Sequence, residues 1–161
     1  MAVDYFLKLD GVTGESTDQQ HTGEIELASW SWGAHNPPNI GSQTGGAGTG
    51  RVTMKHIDCT AQMSKASTAL FEFCSQGKHF QTGTITCRKA GGGQQNFLVV
   101  DLQEVYIAQY HTGGSAGGDV PFDHFSLAYG KISIDYLAQT PQGTTQSAGQ
   151  KSFDLRTNIG A

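Results

Sequence analysis

The sequence predicts a mostly β protein, a compact barrel of two bent sheets with one short flanking α-helix. Three observations predict it. Glycine supplies 22 of the 161 residues, about twice the usual ~7%, and clusters between short runs rich in Val, Ile, Thr and aromatic residues, as in strand-and-turn chains. Three segments alternate apolar and polar residues with period two and then slip in phase. A single stretch has helical spacing.

Taken in order, Val3, Tyr5, Leu7 and Leu9 alternate with Asp4, Lys8 and Asp10 to make a first strand with one buried face. Phe6 stands among the charges on the other face and implies a second apolar contact there. In "EIELASWSWGA" the apolar residues Ile25 and Leu27 are followed, one step out of phase, by Trp30 and Trp32. The segment "NFLVVDLQEVYIAQY" does the same between Leu102 and Val105, and "FDHFSLAYGKISIDY" between Tyr129 and Ile132. A one-residue slip sends every later side chain to the other face, so each slip predicts a bulge or bend where the strand starts packing through its opposite side. Long bent strands suit a barrel, or two sheets sharing strands at their corners, better than a flat sandwich. Arg51 to Cys59 and Gly83 to Ala90 read as further strands, the latter joined to the Phe97 strand by a hairpin across "GGGQQ". Between them lies the helix, with Ser64 or Ser67 as N-cap, Leu70, Phe73 and Cys74 on its apolar stripe, and Gly77 as its stop.

Residues 1–161 amount to about one domain's length. A net charge of −4 with no concentrated cationic track argues against nucleic acid. Lys78-His79 with Arg88-Lys89, the densest basic patch, reads as solvated surface or subunit contact. Cys59, Cys74 and Cys87 form no CxxC pair and leave an odd thiol, which predicts a protein made where thiols stay reduced. The start "MAVDYFLKLDG" lacks a cationic segment followed by an apolar one, and the longest aliphatic run, Phe97 to Val100, is far too short to span a bilayer. A soluble product without cleavable signal or membrane insertion is therefore expected.

The loop "GSQTGGAGTGRV" offers Gly45 and Gly50 at phosphate-loop spacing, but Arg51 and Val52 stand where Lys and Ser or Thr are needed, and a strand follows instead of a helix. His21, His35, His56, His79, His111 and His124 show no metal-ligand spacing. Cys74 and His79 could pair as nucleophile and base, yet Cys74 belongs to the helix stripe. Trp30 and Trp32 could stack a sugar, the alternative reading of this chain as a carbohydrate-binding β-domain; with both as core, Ser29 and Ser31 form a small, uncharged strip on the outside. Carboxylates such as Asp101, Glu104 and Asp135 fall one per strand. No catalytic, cofactor or metal residue is assigned, and a structural or assembling protein is favoured over an enzyme.

The stretches "MAVDYFLKLDGVTGES", "HTGEIELASWSWG", "SQGKHF", "CRKAGG", "QEV", "HTGGS" and "YGKISIDY", in this order over nearly the full length, resemble the haemolysin-coregulated protein (Hcp) family of the bacterial type VI secretion system. The resemblance implies a non-catalytic subunit of the inner tube, closing into a homohexameric ring whose copies stack. Its partners would be other copies of itself, the spike protein, the sheath and small effectors held in the lumen. The protein would be made in the cytoplasm and exported without a signal peptide to the medium or a target cell. A ring needs two different apolar surfaces per subunit, which would place Phe6 at a subunit interface. Ser29 and Ser31 would face the lumen and its effectors. The glycine-rich excursion 34–50, with Ile40, Thr44, Gly45, Gly46, Gly48, Thr49, Gly50 and Arg51, would reach a neighbouring ring. Thr112, Gly113, Gly114 and Ser115 would line the opposite rim. The polar C-terminal segment 138–152 and the residues after it are too short and polar for an added toxin domain.

Overall fold

The computed structural model of the protein describes residues 2–39, 48–91 and 93–161. In chain order its elements are β1 (Val3–Leu9), β2 (Ile25–Ser31), β3 (Ala34–His35), β4 (Pro38–Asn39), β5 (Gly48–Thr49), β6 (Thr53–Met54), β7 (Ile57–Gln62), α1 (Ala66–Gln76), β8 (His79–Lys89), β9 (Asn96–Gly113), β10 (Phe122–Gln139), β11 (Thr145–Asp154) and β12 (Ile159–Gly160). Six strands in the order β10, β7, β2, β1, β8, β9 close into an antiparallel barrel because β9 also pairs with β10. Closure leaves these strands no long unpaired edge to recruit another chain. The polar C-terminal segment adds β11 and β12 as an extension along Lys131 to Gln139 of β10. The strand expected over Arg51 to Cys59 is divided: Thr53–Met54 belongs to a side ladder with Ala34–His35, and the barrel strand begins at Ile57.

Each phase slip has a backbone cause, and its consequence differs from the one expected. Ala28 is an extra residue between the pairs Leu27↔Ala61 and Ser29↔Thr60, a bulge that turns Trp30 back toward the core. The slips in β9 and β10 face each other. Val105↔Tyr129 and Leu102↔Ile132 are both inward pairs, separated by two residues on each strand. Glu104 there is left-handed, with φ 54°, and lies against Gly130, where an added Cβ would meet Glu104 Oε2 at 2.9 Å. Because both strands slip together, the register survives. The two halves of each strand feed one hydrophobic cluster instead of switching to a second core through their opposite faces.

On the outer face of β1 and β8, the loop of residues 10–24 covers Phe6 and Arg88. Phe6, only 3% exposed, stacks on His21 with ring centroids 4.2 Å apart, and the Arg88 guanidinium lies 4.9 Å from its ring centroid. Its apolar surface is thus consumed within its own chain, leaving almost nothing to offer a neighbouring subunit. Arg88 also departs from its expected place on a solvated basic patch: it is 2% exposed. Its Nη1 and Nη2 donate to Asp18 Oδ1 and Oδ2 at 2.9 and 2.6 Å, and Nη2 reaches Asp4 Oδ2 at 3.3 Å. The bidentate fork is what keeps a buried guanidinium tolerable. That bond holds the Asp18 carboxyl well below the usual carboxylate range, against the opposing effect of burial and aided by the backbone N–H groups of Gln20 and His21.

The N-cap position of α1 falls on Lys65, which makes no side-chain capping bond, while the two candidate serines bond to each other's turn on either side of it. The Ala66 N–H donates to Ser64 Oγ and the Ser64 N–H donates back to Ser67 Oγ, a reciprocal arrangement of the capping-box kind. Ser67 Oγ in turn donates to Asp123 Oδ2, and Tyr110 donates to Asp123 Oδ1 at 2.9 Å. These bonds satisfy a carboxylate that is 1% exposed. Gly77, at φ 64°, ends the helix in the left-handed conformation that glycine adopts most easily.

Two outcomes are expected. Glu104→Gly removes about 1 kcal/mol of left-handed strain while freeing the unfolded chain by a similar amount, so urea unfolding should leave its stability near wild type. Glu104→Val, β-branched at positive φ, should lose about 1–2 kcal/mol in the same measurement. Asp18 binds its proton more weakly folded than unfolded, so its contribution is present at neutral pH and fades as pH falls below the ordinary 3.8 toward the depressed folded value. Asp18→Asn should therefore melt below wild type at pH 7, and the gap in Tm should narrow as pH drops below that point.

Candidate functional site

While loop 10–24 covers Phe6 and Arg88 on one side of the barrel, the outer side of β2, β7, β10 and β9 is open and carries two cross-strand rows. Alternation creates them: Trp30, Cys59, Ala61, Phe125, Leu127 and Ile107 pack inward, so their neighbours face out. The register aligns Ser29 with Thr60, Thr60 with His124, and His124 with His111. The next row is Ser31, Asp58, Ser126 and Gln109. Ser29 and Ser31 are exposed, as expected of a strip outside the tryptophans. The rows are bonded laterally, Ser126 Oγ to Asp58 Oδ1 at 2.5 Å and Thr60 Oγ1 to His124 Nδ1 at 3.1 Å. No Lys or Arg stands in either row. Sequence reasoning found the serines and missed the histidines. His111 and His124 lie thirteen residues apart and meet only through the β9–β10 pairing, which the two phase slips and the glycine turn between them could have indicated.

The excursion after β2 has a built base. Ala34–His35 pairs with Thr53–Met54, and Pro38–Asn39 pairs with Gly48–Thr49. Gly50 donates its N–H to the Pro37 carbonyl at 3.2 Å, and a Cβ there would sit 3.0 Å from that oxygen, so any larger residue would push the two segments slightly apart. Arg51 is exposed. Ile40, Thr44, Gly45 and Gly46 lie outside the described residues. The arm is pinned to the barrel where Tyr129 donates to the Lys55 carbonyl at 2.8 Å and accepts from Trp32 Nε1 at 2.5 Å. Burial raises the Tyr129 pKa, which keeps its hydroxyl a donor. Thr112, Gly113, Gly114 and Ser115 are exposed at the far end of β9, where Met63 N–H donates to the Pro121 carbonyl. The arm joins β7 beyond Ile57 and this second loop meets it beyond Gln62, so the two glycine segments lie at opposite ends of that strand.

Among the described residues no three His, Cys, Asp or Glu side chains converge. Burial pushes the Cys87 thiol up to about 11 and the Cys59 thiol higher still, so both stay protonated near neutral pH. Cys74 is half-buried against the core, and His79 tilts over Tyr106 at 5.3 Å. Trp30 and Trp32 are partly buried and packed on the core, a position that does not favour a sugar-stacking platform.

A closed barrel with glycine segments at both ends and a polar outer face is a structural module of the kind that assembles. A family model described as "Type VI secretion system effector, Hcp" matches residues 6–136, and the chain belongs to that family. It is 35% identical over 163 residues to Protein hcp1 of Pseudomonas aeruginosa, covering 100% of both chains. Its fold superimposes on a solved type six secretion system protein with a TM-score of 0.93 and 31% identity, covering 99% of this chain and 100% of that one. Hcp1 from Salmonella typhimurium gives a TM-score of 0.81 and 28% identity, with 100% of each chain covered. The protein is thus a β-barrel tube protein of the type VI secretion machinery, a secreted family with a structural role. Among the described residues no helix is long and apolar enough to cross a membrane.

Tyr129→Phe strands the Trp32 N–H and the Lys55 carbonyl. The expected loss is about 1–3 kcal/mol, with faster amide exchange at Lys55, whose N–H donates to the Gly33 carbonyl at 3.0 Å, and unchanged protection in β1 and β8.

Proposed function

We propose that this chain closes into a homohexameric ring whose lumen is lined by the open face of β2, β7, β10 and β9, and that the lumen carries small effectors. Rings stack into the inner tube, which works with a spike protein and a contracting sheath and leaves the producing cell. The subunit has no catalytic role. The observation that carries this reading is the pair of cross-strand rows from Ser29 to His111 and from Ser31 to Gln109. A wall past which cargo must move works best with short side chains that neither stick by apolar contact nor bind by strong charge. The arm at one end of β7 and the Thr112–Ser115 segment at the other suit a heterologous, head-to-tail stack, in which two different surfaces meet at every junction. Glycines at those ends let backbone lie flush against a neighbour.

Light scattering and electron micrographs of the purified protein should show six-membered rings, and a monomer at every concentration would overturn the reading. Removing residues 34–49 should leave hexamers but stop tube growth. Ser31→Arg should leave the ring intact and weaken effector retention in a pull-down, whereas full retention would count against Ser31 as a lumen residue.

A further inference from the structure

We propose that His111 and His124 form a two-imidazole chelate for a divalent transition-metal ion of the copper, nickel or zinc type. The two residues are direct cross-strand partners on β9 and β10, both side chains are exposed, and their ring centroids stand 6.1 Å apart at an interplanar angle of 38°. An ion bonded at about 2.0–2.1 Å to one nitrogen of each ring fits between them after a small rotation of either side chain. Thr60 supplies the outer partner. Its Oγ1 lies 3.1 Å from His124 Nδ1, so the tautomer with Nδ1–H donating to that hydroxyl leaves Nε2 with its lone pair free for metal. An outer oxygen that fixes ring orientation and tautomer is a recurrent support of metal-binding histidines.

The electrostatic setting is permissive. The two rows hold no Lys or Arg, and the charged group nearest along them, Asp58, is anionic. Two imidazoles with water filling the remaining positions suit borderline ions and offer little to magnesium or calcium, which prefer oxygen cages. Among the divalent ions Cu2+ should bind most tightly. The site uses one chain only, so its presence does not depend on ring formation. In a ring lined by this face, it would recur six times around the lumen.

The test is calorimetric titration of the untagged full-length protein with Cu2+ and Zn2+, alongside NMR of the histidine side chains. Wild type should take up one Cu2+ per chain with higher affinity than Zn2+, and paramagnetic broadening should fall first on the His111 and His124 ring resonances. His111→Asn and His124→Asn should each weaken Cu2+ binding at least tenfold, and Thr60→Val by about tenfold, the scale expected for an outer partner. His79→Asn should change nothing. Wild-type affinity in the His111→Asn, His124→Asn double variant, or broadening that spares these two rings, would overturn the proposal whether or not the protein assembles.

Discussion

The structure depends on the pairing of β9 with β10. These strands run side by side for most of their length, and each must serve two other sets of neighbours. β10 pairs with β7 over Phe122 to Leu127 and with β11 over Lys131 to Gln139, while β9 borders β8 only as far as Tyr106. A straight ribbon could not change partners and keep feeding one core, because alternation would aim half of its apolar residues at solvent. Two extra backbone steps solve this, a left-handed Glu104 on one strand and Gly130 opposite. Arg156, bonded to Glu104 at 3.3 Å and to Asp154 at 3.2 Å, ties the bend to the end of β11. These exposed ion pairs contribute little by themselves; the bend is stabilised mainly by the apolar residues it keeps inside, Leu102, Val105, Tyr129 and Ile132.

Closure determines what each outer face must do. Over β1 and β8 the exposed side carries Phe6 and Arg88, one apolar and one charged, and both are buried by a single loop. Phe6 contacts both the His21 ring and the Arg88 guanidinium, so the cation covers apolar surface while its fork engages Asp18 and Asp4. Desolvating a guanidinium is costly, and two carboxylates with good geometry offset much of that cost without making the arrangement a large net source of stability. Loop 10–24 has little apolar material of its own, and Asp18 gives it one place to dock.

Much of this was legible in the sequence, for identifiable reasons. The barrel class, the helix with its glycine stop and the inward tryptophans follow from periodicity and local chemistry, both of which act over a few residues. The slips at Ala28, Glu104 and Gly130 were visible as phase changes, but their meaning was not. A phase change reads equally as a switch of core or as a correction that keeps the same core, and only the matching slip on the partner strand decides between them. Arg88 looked like surface because its partner Asp18 lies seventy positions away and the loop between β1 and β2 has no periodicity to mark it as a cover. Phe6 was recognised as needing a partner, and His21 of the same chain answers that need. The His111–His124 row escaped for a related reason, since spacing rules for metal ligands describe one helix or one turn and not two strands paired across a glycine loop.

The polar face and the core are one decision made by the same backbone. With the Ala28 bulge, Leu27 and Trp30 both turn inward, and Ser29 and Ser31 are left outside. Without it, continued alternation from Leu27 would put Ser29 and Ser31 in the interior and both tryptophans on the surface. The extra residue near Ala108 does the same for β9: Ile107 and Tyr110 pack toward the core, while Gln109 and His111 join the outer rows. A bulge costs one unpaired residue in a ladder, and here two such residues align a polar surface without Lys or Arg across four strands. The wall that the proposed tube requires is therefore tied to how the barrel packs, and changes of side chain on it are easier to accommodate than changes of register beneath it.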